Sequence, residues 1–207
     1  MGNRNWIAAL TGLLFFVLAI VSFAVGGEPP DPTEEPIREV VAFYVDNESP
    51  LAVGLILEGL AATALVLFTG YLRGVVDAAG RASLVMFGGA VIYATGVALD
   101  ATLTIALIEA SDPPKPVTVE ALSILWNNDF VPFAVGGQVF LIGFAVAVLR
   151  RGALPKWLGW VAVVIAVIAV TPIGFVAFIA HGILVAVVSV ILVLRERRAG
   201  PREAAAA

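Results

Sequence analysis

Apolar residues run in long blocks along this chain, separated by short polar segments. The blocks are Trp6–Val25, Leu51–Leu72, Ser83–Leu107, Val131–Leu149 and Trp157–Leu194. A helix needs about 20 apolar residues to cross the hydrocarbon core of a bilayer, which is about 30 Å thick. The first four blocks each match one crossing. The last has 38 residues, and as a single helix would be about 57 Å long. Thr171-Pro172-Ile173-Gly174 breaks it, because Pro172 removes a backbone donor and Gly174 permits a turn. The pattern therefore predicts an all-α integral membrane bundle of six transmembrane helices, the last two, Trp157–Thr171 and Ile173–Leu194, forming a hairpin. The first arm is short, so the turn is expected below the membrane surface, covered by protein. Residues 1–198 read as one domain and 199–207 as a disordered cytoplasmic tail.

The first block is longer than the roughly 7–15 apolar residues of a signal peptide and lacks an A-x-A site after it. It is read as a retained helix. Basic residues then orient the bundle. Arg4, Arg73, Arg81, Arg150, Arg151, Lys156, Arg195, Arg197, Arg198 and Arg202, 10 of the 12 Lys and Arg, fall in segments that six crossings place on one side. Eleven of the 16 acids fall on the other, from Glu28 to Glu48 and from Glu109 to Asp129. Basic loops stay in the cytoplasm, so both termini are expected there.

Two outer segments carry helical patterns of their own. In residues 33–47, Ile37, Val40, Val41, Tyr44 and Val45 recur at helical spacing, with Thr33 as a cap. Residues 116–129 form a second such segment, ending near Trp126 as an interfacial anchor. Both are expected as short interfacial helices.

Composition agrees. The 207 residues are 60% hydrophobic and 14% charged, with a mean hydropathy of +1.01; soluble domains average about 45–50% apolar and about 25% charged. The absence of cysteine excludes disulfides, thiolate chemistry and cysteine-ligated metals. A single histidine, His181, excludes a multi-histidine metal site within one chain. No cofactor is expected. No long basic run suggests nucleic acid, so the lipid bilayer is the expected partner.

"IREVVAFYVDN" after the first span, "GYLR" ending the second and "VLRRGALPKWLGWVAVV" joining the fourth and fifth resemble a group of small six-span actinobacterial membrane proteins classed as a domain of unknown function. The resemblance covers most of the chain. It implies a six-span fold in a bacterial plasma membrane, with no assigned activity and no catalytic residue to carry over.

Four strongly polar residues interrupt the apolar blocks: Glu58, Asp100, Gln138 and His181. A charge at a helix centre costs about 2.5–3.5 kcal/mol on insertion scales, so such groups face protein or water. Counted from the inner ends of their spans, they lie about 21, 25, 17 and 20 Å up. They are therefore expected in one layer, in the outer half of the bilayer. Tyr93, Gly96, Asp100 and Thr104 share one helical stripe. The fourth-span stripe carrying Gln138 points upward toward Asn127, Asn128 and Asp129. If these side chains converge, Glu58, Asp100, Gln138, His181, Tyr93 and Thr104 would line an outward-facing pocket for a small polar or cationic ligand. No catalytic motif is recognisable, and the spacing gives no specific support for a metal site. Three functions remain open: binding or transport of a small polar molecule or ion, a non-catalytic scaffold or accessory subunit, and an intramembrane lipid-modifying enzyme.

Overall fold

The computed structural model describes residues 5–77, 80–171 and 175–204. All its elements are helices: α1 (Asn5–Gly26), α2 (Ile37–Asp46), α3 (Glu48–Asp77), α4 (Arg81–Ser111), α5 (Pro116–Trp126), α6 (Phe130–Arg151), α7 (Lys156–Ile168) and α8 (Phe175–Ala204). Five apolar helices are long enough to cross a membrane. The stretch expected as the fifth span is instead α7, with 13 residues, or about 20 Å. It ends in a turn in which the Thr171 hydroxyl donates to the Ile168 carbonyl at 2.7 Å. Pro172 and Gly174, the expected breakers, lie outside the described residues. At the other end of the hairpin, α8 runs past residue 198 to Ala204, and residues 205–207 are not described.

The helices pack in a closed ring, α1–α3–α4–α6–α7–α8 and back to α1. Exposed apolar stripes face outward from it. On α7 the stripe is Trp157, Trp160, Val164 and Val167; on α1 it includes Ile7, Leu10, Leu14 and Val17. A water-soluble monomer rarely exposes apolar surface on this scale, and a bilayer is the solvent that suits it.

The closest helix pair is α4 with α6, and glycine makes it possible. A Cβ on Gly136 would collide with the backbone of Tyr93, and one on Gly143 would stand 2.8 Å from the Ala82 carbonyl. Small residues let membrane helices approach backbone to backbone. The pair is antiparallel, so Gly143 lies against Met86, Gly136 against Tyr93, and Pro132 and Phe133 against Gly96. Following this register one more turn brings Asp129, just ahead of α6, to Asp100 on α4. Elsewhere hydroxyls pin the ring. Ser189 on α8 donates to the Ala9 carbonyl at 2.6 Å and accepts from Leu13 N–H at 3.0 Å. Ser22 on α1 donates to the Gly54 carbonyl at 2.9 Å.

At one end of the ring the basic residues gather. Arg197 lies 5.0 Å over the Trp6 ring, Arg195 donates to the Ala153 carbonyl, and the Tyr71 hydroxyl donates to Glu196 at 3.0 Å. At the opposite end α2 and α5 close a second small core of Val40, Tyr44, Leu51, Leu107, Ala110 and Val119. There α2 starts at Ile37, later than Thr33. Pro36 biases Glu35 away from helical backbone, and Thr33 instead donates its N–H and hydroxyl to Asp31. Likewise α5 stops at Trp126, because Asn127–Asp129 turn into α6.

Candidate functional site

A cavity of about 400 Å³ lies inside the ring beneath α2 and α5. Its walls come from α1 (Phe15, Ala19, Ser22, Phe23), α3 (Leu51, Gly54, Leu55, Glu58), α4 (Tyr93, Val97, Asp100, Thr104) and α6 (Phe133), with Tyr44 of α2 and Trp126 of α5 above. It reaches the surface at Glu28, which is exposed and also lines it.

The Asp100 carboxyl is the hub. The carboxyls of Glu58 and Asp129 and the indole of Trp126 stand beside it. Trp126 Nε1 and Asp129 Oδ2 are buried and close no hydrogen bond among the described residues. Local sequence explains the convergence. Asp100 continues the α4 stripe Gly89–Tyr93–Gly96 that faces α6. Glu58 is one turn beyond Gly54, where α3 is bonded to Ser22. Asp129 is placed by the tight turn that follows Trp126, with Asp129 N–H bonded to the Trp126 carbonyl at 3.1 Å. Tyr44, on α2, faces this group; burial first and the Asp100 charge second push its phenol above its ordinary pKa.

Among the described residues lining this cavity there is no Lys, Arg or His. The remaining walls are apolar or aromatic. Among the described residues no three acidic or histidine side chains are arranged to hold a metal ion. The chemistry on offer is therefore an acidic, aromatic-walled space of a size typical for small-molecule sites, about 300–1,000 Å³.

Of the six residues expected to line one pocket, Glu58, Asp100, Tyr93 and Thr104 share this cavity. Gln138 and His181 do not reach it. They line a separate chamber of about 20 Å³ between α6 and α8. The His181 ring sits between Phe140, centroids 4.8 Å apart, and the edge of Tyr93 at 5.8 Å. Tyr93 is seven residues, about 10 Å of helix, from Asp100, so the polar groups occupy two levels rather than one layer.

Asp129 and Trp126 belong to the group but are not in the expected set. The sequence signal for Asp129 was the α6 stripe extended upward to Asn127–Asp129. Trp126 reads from sequence as an interfacial anchor, and nothing local marks its indole as facing Asp100. Ser22, Tyr44 and Phe15 carry no such signal either.

Comparison with protein-family models, with curated proteins and with solved structures gives no match.

Proposed function

We propose that this is a six-span protein of the bacterial plasma membrane, with both termini in the cytoplasm, that binds and transports a small organic cation through a pocket facing outward. The observation that carries the reading is the cavity: about 400 Å³, with Glu28, Glu58 and Asp100 in its walls and no basic side chain among its described lining residues. The carboxyls of Glu58, Asp100 and Asp129, grouped and partly withdrawn from water, repel one another and favour either a proton or a cation. Aromatic walls such as Trp126, Tyr44 and Tyr93 suit an ammonium group through their ring faces. A bare divalent ion would want six or more oxygens at about 2.0–2.6 Å, and the acids are not so arranged. An ammonium head on a small apolar body matches both walls.

The orientation rests on charge. The ends of α1 and α8, the α6–α7 loop and the basic residues around them share one end of the bundle, and the positive-inside rule assigns that end to the cytoplasm. In this topology α2 and α5 lie at the outer interface, over the mouth. The short α7 and the start of α8 form a hairpin; the described part of its turn is not covered by protein as the sequence led one to expect, since Val170 is 74% exposed. The scaffold and lipid-enzyme readings draw on no comparable feature; the chamber around His181 has no hydroxyl side chain among its lining residues.

The test uses the protein in sealed vesicles with external methylammonium. The parent is expected to accumulate it faster than Asp100→Asn. Equal uptake by the two would remove the carboxylate from the proposal.

A further inference from the structure

His181 is 3% exposed, and its Nε2 has no hydrogen-bond partner among the described residues. Gln138 Oε1, on the neighbouring helix, is buried and also without a partner. The two atoms therefore do not bond each other, yet both side chains line the same chamber. Its remaining wall is apolar, from α6, α8 and the end of α7.

Leaving two buried polar atoms unmatched is unfavourable, and interiors commonly resolve it with a bound water that makes two to four hydrogen bonds. The space fits that solution. A water needs roughly 10–15 Å³, and the chamber offers about 20 Å³. The amide oxygen of Gln138 only accepts, so the occupant must donate to it. The imidazole nitrogen accepts or donates according to tautomer, and water satisfies either. An organic ligand is too large, and one amide oxygen with one imidazole is too few ligands for a metal ion.

We propose that His181 and Gln138 form a second site, separate from the acidic cavity, which holds one water molecule bonded to both side chains. Phe133 lines both spaces and meets Tyr93 edge to face at 5.3 Å. With Tyr93, which touches the His181 ring, it stands between them, so removal of the Phe133 ring is expected to widen the access of His181 to the acidic cavity.

Because His181 is the sole histidine, ¹⁵N-histidine labelling of the full chain in lipid nanodiscs reports on this ring alone. Magnetisation transfer from water to the ring is expected in the parent and in Asp100→Asn, and is expected to be lost in Gln138→Leu. No transfer in the parent, or undiminished transfer in Gln138→Leu, overturns the bridging water. The wall is tested with diethyl pyrocarbonate, reading the added mass on His181. Phe133→Ala is expected to react at least tenfold faster than the parent, and Phe133→Leu serves if the alanine variant does not fold. Equal rates overturn the partition.

Discussion

The rings of Tyr93 and His181 meet edge to face with centroids 5.8 Å apart, and this contact divides the polar interior in two. On the Tyr93 side is the cavity with Glu58 and Asp100. On the His181 side is the chamber shared with Gln138. If a water joins those two, they act as a unit. Gln138→Leu and His181→Phe are each expected to cost roughly 1–3 kcal/mol by stranding a buried polar group. The double variant is expected to cost clearly less than their sum, because both ends leave together. Unfolding titrations followed by circular dichroism give the cycle, and simple additivity would argue against the coupling.

Adjacent glycines on α4 should behave in opposite ways. A Cβ on Gly88 meets nothing within 4 Å, whereas one on Gly89 would stand 2.7 Å from the Gly136 carbonyl and collide with Phe140 backbone. Gly88→Ala is expected to stabilise by about 0.5–1 kcal/mol through helix propensity. Gly89→Ala is expected to destabilise by about 1–3 kcal/mol through overpacking. The same unfolding measurement compares them; equal effects would contradict the close α4–α6 contact that aligns Asp100 with Asp129.

Orientation is directly accessible because the chain has no cysteine. Glu34→Cys, exposed just ahead of α2, and Lys156→Cys, exposed at the start of α7, are single reporters. A membrane-impermeant maleimide added to intact cells is expected to label the first and spare the second until the cells are opened. The reverse pattern would invert the bundle.

Much of the bundle was legible as sequence. Apolar blocks of crossing length marked α1, α3, α4, α6 and α8, because every backbone group in a bilayer must bond within its own helix. The charge pattern anticipated which segments share an end, as Trp6 with Arg197 and Ala153 with Arg195 illustrate. Less legible was height. Depths counted from the span ends placed His181 within about 5 Å of Asp100, but the His181 ring meets Tyr93, about 10 Å of helix below Asp100. Helix α8 also continues past Leu194, the end from which its depth was counted. Which faces meet depends on backbone contacts such as Gly136 on Tyr93, and a single helix's periodicity does not encode its partner. Trp126 and Asp129 join the group through a tight turn after α5, a tertiary event without a periodic signature.

The central claim is that the acidic cavity takes a small organic cation, and equilibrium binding measures it most directly. Tetramethylammonium is titrated into the protein in nanodiscs, at neutral and at mildly acidic pH. The account predicts saturable binding that weakens on acidification, as protons compete for the same carboxyls, and that falls at least tenfold, about 1.4 kcal/mol, in both Glu58→Gln and Asp100→Asn. Binding of the same strength in the parent and in a folded Glu58→Gln/Asp100→Asn double variant would contradict it.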